Sequence, residues 1–126
     1  MKFRKLGNLN VSSIGMGSAG TFDIQGDSEI EIRRKIIDQC LVEGVTLLDT
    51  SPMYGRAEEV LGITIAGRRE KFHLATKVWC SGAETGKSQI ARSFSLLKTD
   101  HIELIQIHNL VDWKTHLVYL EELKER

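Results

Sequence analysis

Short apolar runs alternating with longer amphipathic stripes predict an α/β fold built on a parallel sheet. Three observations carry that expectation. Strand-then-helix alternation recurs along the 126 residues in four successive units. Each unit is roughly thirty residues long, enough for the crossover that parallel strands need. Glycine follows the first two helical stripes, at Gly44 and Gly67, where a left-handed exit suits it. No linker, low-complexity tract or sequence repeat divides the chain, so residues 1–126 read as one domain.

In order, Phe3–Leu6 and Leu9–Ser13 flank the turn pair Gly7-Asn8 and predict a hairpin over residues 1–13. The four units occupy residues 14–126, and the first buried strand is Ile14–Gly17. Ser28-Glu29-Ile30-Glu31 has the form of a capping box, in which hydroxyl and carboxylate satisfy free backbone donors. Ile32, Ile36, Ile37, Cys40 and Leu41 then make one helical face. Val45–Asp49 reads as a strand, Ala57–Ala66 as a helix and Phe72–Lys77 as the third strand. Lys87–Lys98 is helical, with Ile90, Phe94 and Leu97 on one side. Ile102–His108 is the fourth strand, and Leu117, Leu120 and Leu123 stripe the last helix. Four such units fit either a small doubly wound sheet or half of an eight-fold barrel, and pattern does not separate these two.

Composition narrows the function classes. The apolar fraction is 41% and the charged fraction 27%, as in a folded domain. Lys plus Arg is 17 and Asp plus Glu is 17, so the net charge of zero gives no electrostatic case for nucleic acid or an anionic membrane. No apolar run approaches the roughly 20 residues of a membrane span. Met1–Lys5 passes directly into an alternating segment, without the pattern of a secretory signal. Cys40 and Cys80 are too few for a disulfide scaffold, and a reducing cytoplasm is the expected location.

Two glycine motifs resemble nucleotide sites without their context. Gly15-Met16-Gly17-Ser18-Ala19-Gly20 matches G-x-G-x-x-G, yet the capping box opens the next helix eight residues beyond Gly20. Ser81 to Ser88 nearly spells a P-loop, but Ser81 replaces the first glycine. The only apolar strand closing in Asp is Val45–Asp49, which precedes that loop. Both read as strand-to-helix connections. Metal binding finds no support, because His101, His108 and His116 lack ligand spacing.

Comparing strand ends is more informative. The second strand closes in Asp49 with Tyr54 just beyond, the third in Lys77 and the fourth in His108. Parallel neighbours place their carboxyl ends together, where α/β proteins build active sites. Asp49 would aim Lys77, and Lys77 beside the phenol would make Tyr54 a general acid for a carbonyl oxygen. His108 would donate a hydrogen bond to that oxygen as charge develops. Taken singly, each is as well read as a residue meeting water at a strand end. The ordered set at successive ends favours chemistry.

At these residues the chain resembles the aldo-keto reductases. Asp49-Thr50-Ser51-Pro52-Met53-Tyr54-Gly55-Arg56-Ala57-Glu58-Glu59-Val60-Leu61-Gly62 looks like that family's signature. Ala75-Thr76-Lys77-Val78 and Asp100 to Asn109 resemble two further blocks, in the right order. Arg4-Lys5-Leu6-Gly7 and Val11 to Gly17 fit its start. The resemblance implies half of a (β/α)8 barrel and reduction of an aldehyde or ketone with NADPH. It implies a tetrad of Asp49, Tyr54, Lys77 and His108, with Tyr54 as proton donor. It also implies that Gly17, Ser18, Ala19 and Asp49 lie beside the nicotinamide. Trp79 would line the substrate pocket or serve packing alone. A complete barrel of roughly 250 residues is about twice this length, and its other half carries the family's main cofactor contacts. The expectation is therefore a reductase that needs a homodimer or a complementing half to close the barrel, with a non-catalytic interaction or structural fragment as the alternative.

Overall fold

A computed structural model describes residues 1–126. Strands β1 (Phe3–Leu6) and β2 (Leu9–Ser12) pair antiparallel across Gly7, whose φ of 58° is a turn conformation that glycine adopts without a Cβ penalty. There follow β3 (Gly15–Gly17), α1 (Asp27–Glu43), β4 (Leu47–Asp49) and α2 (Ala57–Thr64). The chain continues through β5 (His73–Val78), α3 (Ala83–Leu97), β6 (Leu104–Ile107) and α4 (Trp113–Glu125). A short 3₁₀ turn occupies Arg69–Lys71, and His108–Leu110 is a tight turn with left-handed backbone at Asn109 and Leu110.

The four parallel strands lie in the order β3-β4-β5-β6. This order decides between the two architectures. A doubly wound sheet starts near its middle and reverses, sending helices to both faces. Here each strand adds beside the last in one direction, and right-handed crossovers then place successive helices on a single face. Accordingly α1 packs on α2, α2 on α3 and α3 on α4. The chain forms half of a (β/α)8 barrel, and the doubly wound alternative is corrected.

Alternation along the strands sorts their side chains. Leu48 and Leu74 are fully buried toward the helices, against Ile37, Val60, Leu61, Ile65 and Leu97. Each such leucine contributes about 1.5–3 kcal/mol through burial. The intervening positions, Leu47, Asp49, Ala75, Lys77, Leu104 and Gln106, take the opposite face. At the amino end of the sheet, Ser12 N–H donates to Thr46 Oγ1 at 2.9 Å and Thr46 N–H donates to Ser12 Oγ at 2.8 Å. This reciprocal pair ties the hairpin to the sheet. Glu103 joins β5 to β6 at the same end, accepting from Leu74 N–H at 2.7 Å and pairing with Arg69 at 2.9 Å.

Several expected details change. Helix α1 opens at Asp27 behind Gly26, whose φ of 92° makes the turn, and no side chain caps it. Ser28 therefore lies inside the first turn and the capping box does not form; Glu29 pairs with Arg33 instead. Ile32 is 48% exposed, since the buried face runs through Ile37 and Cys40. Helix α3 begins at Ala83 rather than Lys87, so most of the P-loop-like stretch is already helix. Helix α4 buries His116, not a leucine stripe, and Leu117 is 39% exposed. The helix after Gly20 starts well past that glycine, as its loop reading requires.

Candidate active site

At the carboxyl end of the sheet, register sets the spacing of the polar side chains. Asp49 lies opposite Ala75, and Lys77 lies opposite Gln106. Lys77 is thus one same-face step beyond Asp49's neighbour, and its long stem reaches back. Its Nζ donates to Asp49 Oδ2 at 2.8 Å and to the Thr50 carbonyl oxygen at 2.8 Å. An ammonium has three donors, so one remains uncommitted. That ammonium stands 5.0 Å from the centroid of the Tyr54 ring. Gln106 Nε2 donates to the other Asp49 oxygen, Oδ1, at 3.2 Å.

Tyr54 sits in the β4–α2 loop, where its N–H donates to Ser51 O at 3.1 Å and its carbonyl accepts from Ala57 N–H at 3.1 Å. Asp23, from the β3–α1 loop, accepts Arg56 N–H at 2.9 Å. Gly55 has a φ of 59°, a left-handed conformation that favours glycine, and the Asp23 carboxylate fills the space a Cβ there would enter. His108 follows β6 directly. Its ring meets the Tyr54 ring edge-on, with centroids 6.5 Å apart and planes at 79°. Trp79, one residue past β5 and 42% exposed, lies 6.4 Å from His108 between centroids.

Gly17, Ser18 and Ala19 leave β3 alongside β4. Ser18 N–H donates to the Asp49 carbonyl at 3.0 Å, which joins this turn to the tetrad positions. Ser18 Oγ is buried with no partner, and a Cβ on Gly17 would meet nothing within 4 Å. The structure thus brings Asp49, Tyr54, Lys77, His108 and Trp79 together and places the Gly17–Ala19 turn beside them. Sequence reading missed Gln106, Thr50 and Asp23. Gln106 had a usable signal, as the one polar residue of Leu104–Ile107, two places before His108 and hence on its face.

Behind Lys77, on the helix side, Glu58 of α2 is only 1% exposed. Its Oε1 accepts the Thr76 hydroxyl at 2.6 Å. Burial pushes its carboxyl above the ordinary glutamate range, a rise that the Thr76 bond and the charges of Arg92 and Lys77 only partly offset. The folded chain therefore holds this proton more tightly than the unfolded chain. Glu58 favours folding below the ordinary glutamate pKa and loses that contribution as pH rises toward the folded value. Glu58→Gln keeps the acceptor oxygen and removes the charge. Urea denaturation at several pH values is expected to show the variant more stable than the parent at neutral pH, with the difference closing in acid.

A parallel sheet in sequential strand order, with helices on one side and polar groups on successive carboxyl ends, defines half of a (β/α)8 barrel. The Aldo/keto reductase family model matches residues 13–126, and the chain belongs to that family. It is 36% identical to an uncharacterized oxidoreductase, YqkF, of Bacillus subtilis (strain 168), with 86% of this chain and 39% of that protein covered. Among solved structures it is similar to a holo-form aldo-keto reductase from Bacillus halodurans. The TM-score is 0.81 at 30% identity, covering 99% of this chain and 47% of that one. An aldo/keto reductase from Klebsiella pneumoniae in complex with NADP and acetate gives a TM-score of 0.69 at 25% identity, covering 78% of this chain and 35% of that one. The chain thus spans less than half the length of these relatives.

Proposed function

We propose that this chain carries the proton-donating face of a carbonyl reductase, reducing an aldehyde or ketone with NADPH and using Tyr54 as the acid. The observation that supports it most is the Lys77 ammonium, held by Asp49 and Thr50 at 2.8 Å each with its cationic head 5.0 Å from the Tyr54 ring. A phenol held in place beside a fixed cation is positioned to give its proton to a carbonyl oxygen. His108, edge-on to the same ring, would orient the carbonyl oxygen by donating a hydrogen bond.

The residues present fit the nicotinamide end of such a cofactor. Ser18 offers a buried hydroxyl without a partner, and the space beside Gly17 is open. Gly17, Ser18, Ala19 and Asp49 would hold that end, and the Klebsiella relative with NADP supports the choice of cofactor. When bound, NADPH supplies the hydride. The chain itself positions the carbonyl, delivers the Tyr54 proton and holds the Lys77 ammonium in place through Asp49.

A closed barrel needs strands beyond the four present. β3 and β6 each have one edge without a strand neighbour. We infer that a second copy closes it, with its first parallel strand on the fourth of its partner and all strands parallel. Light scattering at micromolar concentration is expected to give twice 14.2 kDa; a monomeric mass would overturn the dimer.

The test of the function is an NADPH titration read by tryptophan fluorescence and calorimetry, followed by carbonyl-reduction assays. Saturable micromolar binding with quenching of Trp79 is the expected result. No binding up to millimolar cofactor would retire the reductase reading in favour of a non-catalytic fragment.

A further inference from the structure

We propose that Gln89 and Asp112 are positioning residues that hold Trp79 against His108. The assignment deepens the reductase reading, on which the role of Trp79 in substrate contact rests. The ladder between β5 and β6 ends at Val78 and Ile107, so the backbone groups of Trp79 to Gly82 have no strand to pair with.

Side chains from α3 and the start of α4 supply the partners. Gln89 acts as a short piece of strand. Its Oε1 accepts Trp79 N–H at 2.6 Å, and its Nε2 donates to Trp79 O at 3.3 Å. His116 Nε2 lies 2.6 Å from Cys80 O. A carbonyl only accepts, so that nitrogen carries the proton. Asp112 Oδ2 accepts Gly82 N–H at 2.7 Å, while its Oδ1 accepts the Thr115 hydroxyl at 2.7 Å. The His116 ring fits only because position 86 is glycine: a Cβ there would lie 2.5 Å from Nδ1.

Asp112 also ends the segment that starts at His108. Asn109, Leu110 and Asp112 have φ of 54°, 55° and 48°, conformations uncommon outside glycine. A segment in that conformation needs anchors, and Asp112 anchors it to the loop that carries Trp79. The two rings 6.4 Å apart therefore sit at the starts of two segments latched to one another. Their separation depends on Gln89 at one end and Asp112 at the other.

Solution NMR of the whole 126-residue chain tests this. The parent is expected to show Overhauser contacts between the Trp79 and His108 rings and a protected Trp79 amide. Gln89→Met, similar in length but without the amide, is expected to lose the ring contacts and to exchange the Trp79 amide about tenfold faster. Gln89→Glu keeps the acceptor and should retain that protection. Asp112→Ala should lose the ring contacts, and Asp112→Asn should restore them. These paired substitutions keep the test open if one variant fails to fold. Ring contacts and amide protection unchanged in Gln89→Met, or a lower melting temperature with unchanged contacts, would overturn the proposal. A chain that reduces no carbonyl but shows these responses would retire the reductase reading while upholding the positioning of Trp79.

Discussion

Carbonyl turnover is expected to fall about 10²–10⁴-fold in Tyr54→Phe, the range a positioned general acid contributes. Folding should be little affected. The ring is partly buried against the core, and Phe retains that packing. Lys77 also keeps its bonds to Asp49 Oδ2 and Thr50 O, because neither involves the phenol. Cofactor affinity should be nearly unchanged, since the residues proposed to hold the nicotinamide, Gly17, Ser18, Ala19 and Asp49, are all retained. The loss should therefore appear in kcat. Steady-state oxidation of NADPH with a small aldehyde, on parent and variant at matched oligomeric state, makes the measurement. Equal turnover would remove Tyr54 as the acid and leave His108 to be tested in its place.

The largest stability loss is expected at Gly62→Ala. In the interior of a helix, Ala is favoured over Gly by about 1 kcal/mol. Position 62 opposes that preference. An added Cβ would lie 2.3 Å from Leu96 O and 2.9 Å from the Leu97 Cα and carbonyl carbon. These are backbone atoms of α3, which cannot rotate out of the way as a side chain end can. Helix α2 must move away from α3, and the contact among Val60, Leu61 and Leu97 opens with it. Overpacking of this kind costs about 1–3 kcal/mol, enough to outweigh the propensity gain. Against a total of about 5–15 kcal/mol, a clear fall in the urea midpoint should result. An unchanged midpoint would mean that α2 and α3 can separate without loss.

Asp49, Tyr54, Lys77 and His108 are legible in the amino-acid sequence because each sits at or just after the end of an apolar run. Strand ends follow from local periodicity, and parallel strands bring their ends to one rim. The spacing of Asp49 to Tyr54 and the blocks around Lys77 and His108 add the family. Gly44 is legible for the same local reason: a helix exit with φ of 76° favours the residue without a Cβ. Ser28 misleads, because its capping-box pattern is also local but Gly26 has already turned the chain into helix.

Other residues carry no signal of this kind. Glu58 reads as one of two adjacent glutamates on a helix, and only its position under β5 turns it into a buried acceptor for Thr76. Asp23 reaches Arg56 across 33 residues, Gln106 reaches Asp49 across 57, and Asp112 reaches Gly82 across 30. Such bonds depend on which strands are neighbours and in what register, information that no window of sequence contains. The choice between a doubly wound sheet and half a barrel is of the same kind, since both share one alternation and differ in strand order. Residue pattern is sufficient for the order of the elements and for which polar residues close the strands, because periods of 2 and 3.6 are properties of a single segment. Strand order, the one-sided helical layer, the Asp23 bond to Arg56 and the bonds that hold Trp79 arise when distant segments meet, so packing alone settles them.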